Sequence, residues 1–199
     1  MDYLNVGFMV RSAIMQTIVF SIVPFLWWVI KYKKECTFFR WIGLYKATKL
    51  VSRKKSVIPM MIYFTVFIVS YFISQDVSSN FENMGFVAIV PSLIVCFIQN
   101  GLCEEILFRG FIGKRLISKF GKNSGILMQA ILFGFMHIGL ALAMDLSINI
   151  NLLVSYFIIP TTAGWMLGYI DEKIYNGSIV PSILLHGMVN FARDVMLIF

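Results

Sequence analysis

Two adjacent glutamates, Glu104 and Glu105, and an arginine, Arg109, stand in the stretch GLCEEILFRG, inside a run otherwise fit for lipid. His137 closes the stretch FGFMH, which begins at Phe133, while His186 and Asn190 bound the stretch HGMVN. The chain has 2 histidines, and both fall in apolar runs. An ionisable group inside a membrane span is costly, so each of these residues is a functional candidate. Glu105 and Arg109 are i and i+4, the spacing of a helical ion pair, and Arg109 needs such a partner in lipid. Glu104 is turned about 100° away and stays available for another task. His186 and Asn190, also i and i+4, can aim two polar groups at one spot. Together these are the parts of a water-activating hydrolase. Glu104 with His137 would hold and deprotonate a water, and His186 with the Asn190 amide would stabilise the developing oxyanion. Glu105 and Arg109 support the helix, because removing either strands a buried charge.

The elements that must position these groups are helices in a bilayer. Of the 199 residues 59% are hydrophobic and 14% charged, with mean hydropathy +0.82, far from the composition of a soluble domain. Six stretches can cross a hydrocarbon core of about 30 Å: 13–30, 57–74, 86–112, 125–144, 149–170 and 178–197. The expected fold class is an all-α, polytopic membrane helical bundle, one membrane domain over 1–199. The net charge of +7 is no nucleic-acid signal: nine of 17 Lys and Arg lie between Lys31 and Lys55 and four between Lys114 and Lys122. Clustering in short loops is the bias that keeps positive loops in the cytoplasm. Loops 31–56 and 113–124 are then cytoplasmic, 75–85 and 145–148 external, and 171–177 cytoplasmic by alternation. Asp194 lies near an external end, where water would solvate it. On this frame Glu104, His137 and His186 sit about 14, 18 and 12 Å from the cytoplasmic face, at 1.5 Å of rise per residue. Three helices would thus bring polar groups to similar depth, in a cavity open to the cytoplasm. Cys103 points away from Glu104 and is not expected to act as a nucleophile.

These stretches resemble the motifs of the CAAX protease and bacteriocin-processing (CPBP, or Abi) intramembrane proteases. The family pattern E-E-x-x-x-R, F-x-x-x-H and H-x-x-x-N/D is matched in order by Glu104 to Arg109, Phe133 to His137 and His186 to Asn190. The resemblance covers a core of about 86–195 and implies peptide-bond hydrolysis in a helical membrane fold. It gives Glu104 and His137 as the water-activating pair and His186 and Asn190 as oxyanion stabilisers. It also permits a second reading, a non-catalytic membrane partner in bacteriocin self-immunity or sensor-kinase modulation. Glu104, His137 and His186 could alternatively hold Zn2+ with water as fourth ligand. The absence of an H-E-x-x-H pair, and full employment of both histidines without metal, favour no cofactor. The expected partners are a peptide or membrane-anchored protein substrate and the lipid bilayer, not nucleic acid. The expected location is a bacterial cytoplasmic membrane.

Overall fold

A computed structural model of the chain describes residues 4–48, 53–73 and 80–199. The described elements are helices, as a lipid environment demands, because each backbone polar group must be satisfied within its own segment. In chain order they are α1 Val6–Lys31, α2 Phe38–Ile42 and α3 Arg53–Ile73, then a long α4 Gly85–Phe120, α5 Lys122–Ala143 and α6 Ile150–Ile174, and finally α7 Val180–Ile198. Four of these, α1, α4, α5 and α6, are long and apolar enough to cross a membrane, while α3 holds the shorter apolar stretch Val57–Ile68. Helix α7 has the length, at 19 residues, but His186, Asn190, Arg193 and Asp194 interrupt its apolar run. The all-α polytopic bundle is therefore present, and each of the six expected spans falls on a helix; residue 74 lies outside the described residues.

Two expected loops are largely helix. Helix α4 does not end at residue 112 but runs on to Phe120, and the chain reverses at Gly121 with φ 81°. The reversal is tight because Gly125 has no side chain: a Cβ there would lie 2.5 Å from the Ile117 nitrogen. Residues 171–174, expected in a loop, continue α6 and bury Asp171 and Glu172. Lys114 makes this affordable by donating to Glu172 and to the Gly177 carbonyl, and Lys122 donates to the Glu172 carbonyl at 3.3 Å. The basic and acidic segments neutralise each other, which hydropathy alone does not reveal.

The chain forms two compact units. The first comprises the described residues of Met1–Ala47, Ser78–Phe111 and Ser178–Phe199. Its centre is the close pairing of α4 with α7. A Cβ on Gly101 would stand 3.0 Å from the Ile183 carbonyl oxygen, and one on Gly187 would run into the Phe97 ring. Small residues permit this approach, which replaces the hydrophobic drive that lipid removes. Near its C-terminal end α7 is tied to α4 by Asp194, which accepts from Ser92 Oγ at 2.7 Å and Cys96 Sγ at 3.4 Å. Asp194 is 3% exposed, so the solvated position expected for it is corrected: α4 supplies the donors that water would have supplied. Helix α1 adds Gln16, donating to the Gln99 carbonyl at 3.0 Å, and Thr17, 3.3 Å from Cys103 Sγ.

Of the expected loop 31–56, residues 31–46 fold into a cap on this unit, residues 49–52 lie outside the described residues, and α3 begins at Arg53. Thr37 caps the short α2 and Gly43 ends it in a left-handed conformation. Trp41 and Ile42 bury against Ile106 and Ile179, with Trp28, Phe38 and Phe111 around them. Trp28 Nε1 donates to the Cys36 carbonyl at 2.9 Å, and the Ile179 amide donates to the Gly43 carbonyl at 3.0 Å. The second unit comprises the described residues of Thr48–Val77 and Ile112–Gly177. There α5 packs on α6, with Gly134 set against Thr161 and Gly164 against Phe133. The buried Gln129 spans the pair, donating to the Gly164 carbonyl at 2.8 Å.

Candidate active site

The glutamates of α4 sit between two stretches of widened, π-type helix, Val95–Leu102 and Ile106–Gly113, with Cys103–Glu105 between them. Such turns are rare and concentrate at functional sites. They also change the rise per residue, so depths counted from an α-helical end at residue 113 do not carry over. Cys103, fully buried, faces Thr17 of α1 rather than the glutamate site, as its position beside Glu104 suggests.

Glu105 is the hub. It is 0% exposed, and its Oε2 stands 3.0 Å from Arg109 Nε, with Arg109 itself 3% exposed. The i, i+4 ion pair expected from sequence is thus present. Its other oxygen, Oε1, is 2.8 Å from His186 Nδ1 on α7. A carboxylate held against a guanidinium can only accept, so Nδ1 carries the proton and donates. This second partner is not visible in the sequence, since His186 is 81 residues away. A neutral His186 then has its basic lone pair at Nε2, and only as an imidazolium can it offer an N–H there.

Glu104 is turned to the Nε2 side of the same ring. Its Oε2 lies 3.9 Å from His186 Nε2, outside hydrogen-bond reach, and makes no hydrogen bond among the described residues. Two acceptors at that separation leave room for one water bonded to both at ordinary lengths of about 2.8 Å. The side chains of Glu104 and His186 retain 14% and 12% exposure, whereas Glu105 is sealed. Asn190, half-buried, follows one turn after His186 on α7. Inside the first unit the structure therefore gathers Glu104, Glu105, Arg109 and His186, with Asn190 on the same helix as the histidine.

His137 belongs to the second unit. Its Nδ1 donates to the Phe133 carbonyl at 2.9 Å, and its ring meets the Phe133 ring edge-on at 4.5 Å between centroids. Phe133, the first residue of the stretch FGFMH, is buried and holds the histidine's orientation. In this cluster Glu105 is committed to Arg109 and His186, so the described residues offer Glu104 and one ring nitrogen of His186 as ligands. Among the described residues no three His, Cys, Asp or Glu side chains are grouped to hold an ion.

The described residues thus form a helical membrane protein in which two adjacent glutamates, an arginine and a histidine are gathered between two helices. A family model described as Type II CAAX prenyl endopeptidase Rce1-like matches residues 86–192, more than half of the chain, and the chain belongs to that family. At the level of the family it is a CAAX-type intramembrane protease. No curated protein and no solved structure matches it.

Proposed function

We propose that the chain is an endopeptidase of a bacterial cytoplasmic membrane that cleaves a peptide or membrane-anchored protein from the cytoplasmic side. The observation that carries the reading is the division of labour between adjacent glutamates: Glu105 is consumed by Arg109 and His186, while Glu104 faces His186 Nε2 with an oxygen in reserve. Glu104 accepts a proton from the attacking water, whose oxygen bonds to the scissile carbonyl carbon. The oxyanion that develops is met by an N–H at His186 Nε2, which the ring offers when both of its nitrogens carry protons, and by the Asn190 amide. Glu104 returns the proton to the leaving nitrogen as the C–N bond breaks. His137 enters from its motif as the second holder of the water. The chemistry is proposed to run without metal, the two histidines and Glu104 being fully used.

The test is a comparison of peptide termini in membranes from cells expressing wild type or Glu104→Gln at equal levels. Loss of a general base lowers the rate by about 10²–10⁴-fold. New termini that depend on Glu104 are expected, and they name the substrate. Identical termini in both membranes would reject the proposal.

A further inference from the structure

The cap of residues 31–46 has a feature that the hydrolytic reading does not use. Lys31, Lys33, Lys34, Arg40 and Lys46 are exposed around it, against a single acid, Glu35. None of the five forms an ion pair among the described residues. They do not hang on a loose loop. The backbone beneath them is pinned by the Thr37 cap, the Trp28–Cys36 and Ile179–Gly43 bonds, and Ser178 Oγ donating to the Tyr45 carbonyl at 2.7 Å. Ring contacts stiffen it further, Tyr32 tilted against Trp41 at 5.4 Å and Phe38 edge-on to Trp28 at 5.8 Å between centroids. A preformed cationic surface spends little entropy when it meets an anion.

The neighbouring residues identify the partner. The cap begins where α1 ends, and only 11% of the apolar stretch of α1 is buried within the protein. Trp27 and Ile30, in its last turns, are exposed. The rest of that helix surface is thus turned to acyl chains, and the cations from Lys31 onward stand where headgroups begin. Phe39, 65% exposed, projects beside Arg40. Aromatic rings together with Lys and Arg at the end of a span are suited to a lipid interface, whereas an acidic protein would have no use for the exposed apolar rings.

We propose that this cap is a docking surface for anionic phospholipid headgroups. It is connected to the candidate site: a Cβ on Gly110, next to Arg109, would lie 2.7 Å from the Ile42 carbonyl oxygen, and the Trp41 ring lies tilted against Phe111 at 6.0 Å between centroids. Headgroups gathered on the cap would steady the helix turn that holds Arg109. The inference rests on the membrane fold and not on the hydrolytic reading, so either can fail alone.

The experiment is native mass spectrometry of the purified full chain in neutral detergent, titrated with phosphatidylglycerol or phosphatidylcholine. Lys33→Gln with Lys34→Gln is compared with Arg11→Gln with Lys119→Gln, an equal loss of charge elsewhere, after both are shown to melt like wild type. Phosphatidylglycerol adducts are expected to exceed phosphatidylcholine adducts. They should weaken about tenfold or more in the cap variant and much less in the control. Equal retention of the two lipids, equal weakening in both variants, or full displacement of phosphatidylglycerol by a poly-glutamate peptide would each overturn the proposal.

Discussion

Replacing Glu105 by leucine is the perturbation that separates the constellation from ordinary packing. The substitution leaves the Arg109 guanidinium, 3% exposed, without the carboxylate 3.0 Å away and takes from His186 the acceptor of its Nδ1–H. Breaking a buried pair by removing one partner costs about 3–5 kcal/mol, which for a chain of this size is roughly 6–20 °C in melting midpoint. The reverse substitution, Arg109→Met, takes the guanidinium from Glu105 Oε2 but leaves His186 on Oε1, and should still destabilise the protein because the buried carboxylate loses its permanent cation. The double variant Glu105→Leu with Arg109→Met replaces the pair by apolar groups of comparable bulk. Such exchanges are often neutral or stabilising, so it should melt closer to wild type than either single variant. Its activity should not return, because His186 still lacks its orienting acceptor and misplacement of a reacting group by about 1 Å costs about 10²-fold. The assay is tryptophan-fluorescence melting in detergent, paired with the terminus comparison on the same preparations. Single variants that melt within 2 °C of wild type, taken as roughly 1 kcal/mol or less, would refute the reasoning. So would a double variant less stable than both singles, or one that is fully active.

Two further outcomes are expected. Asp194→Ala, which removes the acceptor shared by Ser92 and Cys96, should cost about 1–3 kcal/mol of stability, and adding Ser92→Ala should cost little more; additive losses, read as melting midpoints, would count against the shared bond. Incubation with 1,10-phenanthroline or EDTA followed by gel filtration is expected to leave proteolysis intact, because among the described residues of the Glu104–Glu105–His186 cluster Glu104 and one ring nitrogen of His186 remain as donors; activity lost to chelator and restored by Zn2+ would overturn the metal-free part of the proposal.

What could be read from sequence was what depends on pattern. Hydropathy marks lipid-facing helices because nearly every outward side chain must be apolar, and the i, i+4 spacing of Glu105 and Arg109 foretells a pair that both charges need. Partners distant in sequence were not legible. Asp194 looks solvated in a linear reading because its donors, Ser92 and Cys96, are 102 and 98 residues away. The bond between Glu105 and His186 is hidden for the same reason. The widened turns of α4 leave no compositional trace, since apolar residues suit either register. Loop 31–56 reads as polar because charge dominates the average, although Trp41, Ile42 and Phe38 within it were a usable signal of a packed cap. The helical run through residues 113–120 was masked by its basic residues, whose partner Glu172 lies on another helix.

Charge counting explains why the motif needs two glutamates rather than one. Arg109 requires a permanent anion, and Glu105 supplies it while also orienting His186. With those two charges cancelled, the rest of the constellation is Glu104 and His186, and it is neutral in two ways: a carboxylate facing an imidazolium, or a carboxylic acid facing a neutral ring. One proton therefore distinguishes two states of equal net charge, and neither leaves an uncompensated ion in lipid. When Glu104 takes the proton of the attacking water, the imidazolium is left facing the oxyanion formed in the same step, so the net charge of the site stays at zero. The same count separates the two glutamates experimentally. Glu104→Gln with a neutral His186 still sums to zero and should fold with near-native stability, so its loss of activity reports chemistry. Glu105→Leu takes from Arg109 its i, i+4 carboxylate and must report on folding first, which is why the double variant with Arg109→Met is needed to show what Glu105 does for His186.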